Sequence, residues 1–279
     1  MQLPASRTPQ GSAGLAALIA EPARAVVALD FDGTLAPIVP RPEDARPAPG
    51  AVDALARVAR VVGSLAIVTG RPAATVVELA GLGGHHALGR LLVLGHYGLE
   101  RWSAETGELS RPPLPEGIAE ARLALPAALA AAGAPDGTTV EDKEASLAVH
   151  VRTTADPAAA LAQLRPELDR LAERTGLIVE PGRMVLELRP GGVDKGAALA
   201  TLVTEREAAA VLFAGDDLGD LPAYDAVDAL RAKGVAGVTV CARSAEAVAV
   251  DARADIVVDG PAGVVELLDA LVAAIGTGG

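Results

Sequence analysis

Carboxylates follow two apolar segments of this sequence. AVVALDFDGTL carries Asp30 and Asp32, and VLFAGDDLGD carries Asp216, Asp217 and Asp220. In an extended chain Asp30 and Asp32 point to the same side, because side chains alternate with a period of two. Like charges brought together raise one another's pKa values unless a cation compensates them. The pattern therefore predicts a site for a hard divalent ion, and Mg²⁺, which binds carboxylate and phosphate oxygens, is the expected cofactor.

Simpler interpretations of the same acids stay open. The DxDG sequence is also typical of a polar turn that ends a strand, because Asp and Gly favour turns. Asp217 and Asp220 precede a predicted helix near residue 220, where acids commonly serve as N-caps or first-turn residues. The sequence alone does not decide between a functional and a structural role for Asp220.

Residues suited to an anion follow two other segments. AIVTGR places Thr69, Gly70 and Arg71 after a predicted strand. A hydroxyl, exposed amides and a guanidinium suit an anionic oxygen, although Thr-Gly is also an ordinary turn. Lys195 is one of three lysines among 24 basic residues and begins a predicted helix. The helix dipole disfavours a cation there, so Lys195 indicates an anionic partner such as phosphate, with an exposed surface lysine as the alternative.

Short apolar runs alternate with amphipathic helices in both halves of the chain. RAVVALD, SLAIVTG and LLVLG are the predicted strands of the first half, and MVLELR, AAAVLFAG, GVTVCA and ADIVVDG are those of the second. This alternation predicts an α/β fold with a Rossmann-like parallel sheet covered on both faces. In such open sheets the ligand site lies at the carboxyl ends of the strands, where the acids are found.

The middle of the chain has a different pattern. TTVEDK, SLAVHVR and LIVEPG are typical of antiparallel strands, and helices are predicted near 116–132 and 157–175. We interpret residues 105–186 as a smaller α/β domain inserted into a core formed by residues 25–104 and 187–279. Residues 1–24 are interpreted as an N-terminal extension. The Pro/Gly-rich segment 103–117 and the Pro181–Gly182 pair are the predicted linkers.

Composition excludes several classes of function. The 279 residues carry a net charge of −12 and only 2% aromatic residues, so neither a basic surface nor stacking platforms for nucleic acid are expected. No uncharged apolar run reaches the roughly 18 residues of a membrane span. The single cysteine, Cys241, excludes an internal disulfide and is expected in the core. We expect a cytoplasmic monomer that acts on a small molecule.

Four motifs together resemble a known superfamily. DFDGT at 30–34, Thr69, Lys195 and GDD at 215–217 resemble, in order and spacing, the motifs of the haloacid dehalogenase superfamily phosphatases. LAPIVPRPEDA, GHYGLE, VEDKEASLAVHVR and MVLELRP further resemble the trehalose-6-phosphate phosphatase family, over roughly residues 25–260. The resemblance implies the haloacid dehalogenase fold with a small cap domain at 105–186. It also implies Mg²⁺-dependent hydrolysis of trehalose 6-phosphate.

The resemblance implies a role for each matched residue. Asp30 would be the nucleophile that forms an aspartyl-phosphate, and Asp32 the general acid and base. Thr69 and Lys195 would hold the phosphoryl oxygens. The implied metal ligands are Asp30, the Asp32 carbonyl and Asp216, with Asp217 supporting them. The implied substrate-binding residues are Gly70, Arg71, His96, Gly98, Glu141, Lys143 and Glu187.

Alternatives remain for the substrate and for three further residues. Sucrose phosphate or mannosyl-3-phosphoglycerate would suit the same chemistry, and a catalytically idle module that binds a sugar phosphate is a different class. Ser146, His150 and Arg152 alternate on a predicted strand, and the sequence leaves both a functional and a structural role open for them. Residues 105–186 contain no aromatic side chain, so a sugar bound there must be held by hydrogen bonds.

Overall fold

The chain folds into two compact units. A computed structural model describes residues 2–114, 116–182, 184–243 and 248–277. The first unit, here called the core unit, comprises Met1–Arg111 and Asp194–Gly279. The second, here called the insert unit, comprises Pro112–Val193.

The elements follow one another in this order. The strands are β1 (Ala25–Leu29), β2 (Ser64–Val68), β3 (Leu91–Gly95), β4 (Glu100–Ser103), β5 (Leu109–Ser110), β6 (Thr139–Asp142), β7 (Leu147–His150), β8 (Leu177–Gly182), β9 (Val185–Pro190), β10 (Ala210–Gly215), β11 (Ala236–Ala242) and β12 (Ile256–Val258). The α-helices are α1 (Pro9–Ala20), α2 (Ala51–Val61), α3 (Ala73–Leu79), α4 (Glu116–Ala131), α5 (Pro157–Thr175), α6 (Lys195–Glu205), α7 (Leu221–Ala232), α8 (Val248–Asp251) and α9 (Gly260–Thr277). Short 3₁₀ turns lie at Pro22–Arg24, Pro42–Asp44, His86–Leu88, His96–Gly98 and Leu218–Asp220.

The core unit is built on one sheet with the order β12-β11-β10-β1-β2-β3-β4-β5. Strands β12 through β3 in this order run parallel, and β4 and β5 extend the edge in antiparallel fashion. Strands β1, β2, β3 and β10 are buried along their whole length, as expected for parallel strands covered on both faces. The α/β fold with a parallel core sheet is therefore confirmed.

Helices cover both faces of the core sheet. On one face Val27 and Leu29 pack with buried residues of α1, α2 and α9. On the other, Val26 and Ala28 pack with α6 and α7, where the Tyr224 ring meets Phe213 edge-on. Alternate residues of β1 thus serve two separate apolar clusters, which fixes the strand between them. Within the described ranges, no helix is both long and apolar enough to cross a membrane.

The insert unit has its own sheet, in the order β6-β7-β9-β8 with all neighbours antiparallel. Leu147, Val149, Leu186 and Leu188 point to one face, where they pack with the buried side chains of α4 and α5. The intervening residues point to the opposite face, here called the polar face of the insert sheet.

The position of MVLELR corrects one prediction. We expected this segment to begin the second half of the parallel sheet, whereas β9 is an antiparallel strand of the insert sheet. Its alternation of Leu186 and Leu188 with Glu187 and Arg189 suits a sheet with one apolar face better than a strand covered on both. Because β5 belongs to the core sheet and β9 to the insert sheet, both observed unit boundaries lie further along the chain than residues 105 and 186.

The N-terminal segment is part of the core unit. Helix α1 packs on β11, and Thr8 caps it by accepting a hydrogen bond from the Gly11 amide. The Thr8 hydroxyl also donates to the buried carboxylate of Asp255, which accepts further bonds from Arg231 and from the Thr239 amide at 2.8 Å. Asp255 therefore connects the N-terminal segment, β11 and α7.

These bonds predict a pH-dependent contribution of Asp255 to stability. Burial alone would raise the pKa of Asp255, but hydrogen bonds from Thr8, Thr239 and Arg231 lower it below the usual 3.8. Because its pKa is lower in the folded state, the ionised carboxylate stabilises the fold. This contribution is full at a pH above the pKa of the unfolded state and is lost as the pH falls through the pKa of the folded state. Asp255→Asn should lower the free energy of unfolding at neutral pH by about 3 kcal/mol, measured by urea denaturation.

The difference between wild type and Asp255→Asn should shrink below pH 3.8. Asp225→Asn is a matched control, because Asp225 pairs with Arg253 at 2.7 Å but is 66% exposed. An exposed pair contributes about 1 kcal/mol or less. A difference for Asp255→Asn that is no larger than the control's, or that persists unchanged in acid, would contradict the assignment.

Candidate active site

The predicted carboxylates meet where the strand order of the core sheet reverses. Asp30 follows β1 and Asp216 follows β10, and these two strands are neighbours. Thr69 follows β2, which lies on the other side of β1. All three residues are buried. The carboxyl ends of strands at such a reversal form the crevice in which open α/β sheets bind ligands.

Lys195 forms the centre of this group. Its ammonium Nζ lies 2.7 Å from Asp30 Oδ1 and 2.7 Å from Asp220 Oδ1. Lys195 is the first residue of α6, and Asp194 caps that helix by accepting from the Ala197 amide. The side chain is buried, so the alternative of an exposed first-turn lysine is wrong. Its predicted anionic neighbours are, in this structure, carboxylates of the chain itself.

Asp220, left open by the sequence, is a central structural residue of the site. It is fully buried, and its Oδ2 accepts from the amides of Asp216 at 2.8 Å and Asp217 at 3.1 Å. Because Oδ1 accepts from Lys195, both carboxylate oxygens have donors. Asp217 caps the turn after β10, since its Oδ1 accepts from the Gly219 amide at 2.8 Å. Both residues thus fix the loop that carries Asp216.

Burial and neighbouring charges act in opposite directions on Asp30 and Lys195. Burial raises the pKa of Asp30 well above the usual range, and Lys195 opposes this increase. For Lys195 burial acts in the opposite direction, yet the carboxylates of Asp220 and Asp30 raise its pKa well above the usual value. Lys195 therefore stays protonated, and its charge favours the ionised form of Asp30 that a nucleophile requires.

The donor set fits a divalent cation. Asp30, Asp216 and Asp220 each offer a carboxylate oxygen within 4.8 Å of the others. Asp216 Oδ1 is buried and has no hydrogen-bond partner among the described residues. Burial, followed by the charges of Asp220 and Asp217, raises the pKa of Asp216 to about 8. A hard cation would supply the missing partner and offset this charge, as Mg²⁺ does with one or two carboxylates.

The structure brings some of the predicted metal ligands together. Since both oxygens of Asp220 already accept hydrogen bonds, Asp30 and Asp216 are the carboxylates best placed to bind a metal. Asp217 is not a member of the three-carboxylate cluster. Gly33 brings the loop after β1 close to Asp216, because a Cβ atom at Gly33, where φ is +78°, would lie 2.1 Å from Asp216 Oδ2.

Arg71 binds Asp32. Its Nε and Nη2 donate to the two carboxylate oxygens of Asp32 at 2.6 and 2.7 Å. Its Nη1 donates to the Pro42 carbonyl at 2.9 Å, and the guanidinium carbon lies 5.9 Å from the centre of the Phe31 ring. The guanidinium expected to bind a phosphoryl oxygen thus holds the expected general acid instead in this structure.

Two loops are joined beside Thr69. The Thr69 carbonyl accepts from the Tyr97 amide at 2.8 Å, and the Arg71 carbonyl accepts from the His96 amide at 2.9 Å. His96 and Tyr97 have positive φ angles of 47° and 59°, which non-glycine residues rarely adopt and which cluster at functional sites. Gly70 lies against the Tyr97 hydroxyl, and Gly98 against Ala198 of α6.

The remaining predicted residues lie together on the polar face of the insert sheet. Glu141 is opposite Ala148, which in turn is opposite Glu187. Lys143 Nζ lies 3.5 Å from Glu187 Oε1, and the Ser146 hydroxyl donates to the same oxygen. The predicted domain boundary assigns Glu187 to the margin of the core domain. In the structure it is a buried residue of β9, a strand of the insert sheet.

Thr34 is a residue that the predicted set omits. Its side chain is fully buried in the loop after β1, and its hydroxyl has no hydrogen-bond partner within the described part of the chain. Buried polar atoms without partners are uncommon in folded proteins and often face a ligand or an unseen water. The position of Thr34 in the DFDGT motif is the sequence signal that could have identified it as a site residue.

Comparison with known proteins places the chain in a family. The match to the family described as Trehalose-phosphatase extends over residues 28–256. The chain belongs to the trehalose-phosphatase family. Trehalose-phosphate phosphatases of Mycobacterium marinum and Mycobacterium bovis are 33% and 32% identical to it over 217 and 258 residues. These matches cover 73% and 88% of the chain, and 52% and 60% of the two relatives.

Another relative is longer. A Mycobacterium tuberculosis protein described as an uncharacterized glycosyl hydrolase is 37% identical over 215 residues, which are 73% of this chain and 15% of that protein. The chain thus spans about half or less of the length of the first curated relatives it matches.

Solved structures agree on the fold. The C-terminal domain of Candida albicans trehalose-6-phosphate phosphatase superposes with a TM-score of 0.72 at 20% identity, covering 97% of this chain and 98% of that one. An Aspergillus fumigatus trehalose-6-phosphate phosphatase superposes with a TM-score of 0.68 at 23% identity, covering 97% and 99%. A haloacid dehalogenase-like hydrolase from Bacteroides thetaiotaomicron is also similar, with a TM-score of 0.60 at 20% identity, covering 88% and 98%.

The two ion pairs of Lys195 predict that replacing this lysine strongly destabilises the protein. Lys195→Met would leave Asp30 and Asp220 buried without their shared cation, and such a loss costs about 3 kcal/mol or more of unfolding free energy. Lys233→Met is the matched control, because Lys233 is exposed. Chemical denaturation in metal-free buffer measures both variants. Equal stability of the two would show that the buried pairs do not hold the site together.

Proposed function

We propose that the chain hydrolyses trehalose 6-phosphate to trehalose and inorganic phosphate. The observation that carries this proposal is the buried Lys195 ammonium between Asp30 and Asp220, beside Asp216 Oδ1, for which the described residues provide no hydrogen-bond partner. This arrangement provides a carboxylate nucleophile, a fixed positive charge and a place for a cation at one strand end. Family membership and the carboxylates of the insert unit favour a sugar phosphate as the substrate.

In the first step Asp30 attacks the phosphorus. A bond forms between an Asp30 carboxylate oxygen and phosphorus, the bond from phosphorus to the sugar oxygen breaks, and Asp32 donates a proton to that oxygen. Trehalose leaves, and Asp30 carries the phosphoryl group. Both oxygens of Asp32 accept from Arg71 in the observed structure, so at least one of these bonds must open for the transfer.

In the second step water replaces Asp30. Asp32, now a carboxylate, takes a proton from the water, a bond forms between the water oxygen and phosphorus, and the bond from Asp30 to phosphorus breaks. Phosphate is released and Asp30 is regenerated. Lys195 and Thr69 would bind the phosphoryl oxygens during both steps, so that developing negative charge meets donors already in place.

Asp30, Asp216 and the Asp32 carbonyl would hold Mg²⁺ in this proposal. The bound ion would neutralise negative charge on the phosphoryl group as it is transferred. Asp217 and Asp220 keep the Asp216 loop in place through their hydrogen bonds, rather than through the metal.

Sugar recognition is assigned to the insert unit. Carboxylates and an ammonium bind hydroxyls through charge-assisted hydrogen bonds, so Glu141, Lys143 and Glu187 would select a substrate with matching hydroxyls. Gly70, Arg71, His96 and Gly98 would line the phosphate end of the substrate. Action as a monomer and a location in the cytoplasm remain predictions from the sequence.

A phosphate-release assay across a panel of substrates tests the proposal. We expect trehalose 6-phosphate to be cleaved with a higher kcat/KM than sucrose 6-phosphate, mannosyl-3-phosphoglycerate or glucose 6-phosphate. Asp30→Asn should abolish release from all of them while the circular dichroism spectrum is unchanged. Equal rates on every substrate would contradict the proposed specificity. Turnover by Asp30→Asn would contradict the assignment of Asp30 as the nucleophile. A folded wild type without activity would favour the idle binding module.

Magnesium binding is tested separately from turnover. A chelator should stop phosphate release by the wild type, and added Mg²⁺ should restore it. Mg²⁺ at about a hundred times its Kd should raise the free energy of unfolding by about 2.7 kcal/mol. Asp216→Asn should lose most of this stabilisation, whereas Asp259→Asn should keep it because the Asp259 side chain is 90% exposed. Equal stabilisation of both variants would place the ion elsewhere.

A further inference from the structure

A row of residues crosses the polar face of the insert sheet. Strand β7 lies between β6 and β9, and the register aligns Glu141 with Ala148 and Ala148 with Glu187. Leu147 and Val149 point to the helices, so Ala148 and its row point to the polar face. The two carboxylates therefore flank a strand that contributes only a methyl group between them.

Residues on either side of Ala148 hold one carboxylate each. The Ser146 hydroxyl donates to Glu187 Oε1, and His150 Nε2 lies 2.9 Å from Glu141 Oε2. A carboxylate only accepts hydrogen bonds, so the His150 N–H is the donor. Residues 146, 148 and 150 share a face, which lets one segment reach a carboxylate on each neighbouring strand.

Lys143 contributes less than Ser146 to fixing the orientation of the Glu187 carboxylate. Its ammonium lies 3.5 Å from Glu187 Oε1, at the limit of a hydrogen bond, while the Ser146 hydroxyl is closer to the same oxygen. Ser146 and Glu187 are both buried, with 3% and 6% exposure, so their bond is protected from water. The rotatable ammonium can instead donate to another acceptor.

We propose that Ser146 and His150 are positioning residues, which fix the carboxylates of Glu187 and Glu141 for binding to the hydroxyls of the sugar. This inference rests on the proposed function, which assigns both carboxylates to the sugar. A hydrogen bond weakens steeply when its geometry is lost, so an unsupported carboxylate binds a hydroxyl less well. Neither residue is assigned to the transfer of the phosphoryl group.

Steady-state kinetics on two substrates test the inference. Trehalose 6-phosphate carries the hydroxyls, and phenyl phosphate lacks them. Ser146→Ala and His150→Ala should each raise the KM for trehalose 6-phosphate about tenfold, with a smaller change in kcat. The effects should multiply in the double variant, because the two residues support different carboxylates. Both substitutions should leave kcat/KM for phenyl phosphate unchanged.

Two further variants separate positioning from general structure. His150→Gln keeps an N–H donor and should restore most of the affinity lost in His150→Ala. Val140→Ala is the matched control, since Val140 lies on the same sheet, is 47% exposed and shares the opposite face with Val149. It should leave both substrates unaffected.

The outcomes distinguish the two proposals. A wild type that cleaves both substrates with the same kcat/KM overturns the proposed function and this inference with it. A wild type that prefers trehalose 6-phosphate, together with an unchanged KM in Ser146→Ala and His150→Ala, overturns the inference alone. Equal losses on both substrates, accompanied by a lower melting temperature, would show a structural role and also overturn it.

Discussion

The ammonium of Lys195 between two buried carboxylates is the interaction on which the core site depends. Asp30 and Asp220 both lie 2.7 Å from it, and all three side chains are buried. A buried carboxylate is costly unless it is paired and hydrogen-bonded. Asp220 satisfies this condition completely, with Lys195 on one oxygen and two backbone amides on the other. The site is therefore stable only if α6 and the loop after β10 are held together.

The same constraint accounts for the need for a cation. Among the described residues, the Lys195 ammonium pairs with Asp30 and Asp220, and Asp216 is a third buried carboxylate of the same cluster, so the carboxylates outnumber this positive charge. The uncompensated negative charge is found at Asp216. Its Oδ1 has no hydrogen-bond partner among the described residues, and its pKa is raised to about 8. A site satisfied by its own side chains would have no such residue. The deficit lies next to Asp30, where the substrate phosphate would also need neutralisation.

The sequence predicted what depends on local pattern. Continuous apolar runs identified the parallel strands, and the acids after β1 and β10 were expected at one end of the sheet for that reason. The contacts that the sequence did not predict are those in which partners are chosen in three dimensions. Arg71 and Asp32 are separate motifs, and nothing in either indicates that they bind each other. Asp220 differs from Asp217 in that its side chain is fully buried and its oxygens accept from Lys195 and from two backbone amides, whereas Asp217 is exposed and accepts from the Gly219 amide.

Strand β9 shows that the apolar content of a segment and its alternation of apolar and polar residues can indicate different sheets. MVLELR is apolar enough to resemble a core strand, but its alternation assigns Leu186 and Leu188 to one face and Glu187 and Arg189 to the other. A parallel strand covered by helices on both faces would bury Glu187 without a partner. In the insert sheet the Ser146 hydroxyl and the Lys143 ammonium supply one. The polar residue that makes β9 unsuitable for the parallel sheet is thus the residue to which the proposed function assigns contact with the sugar.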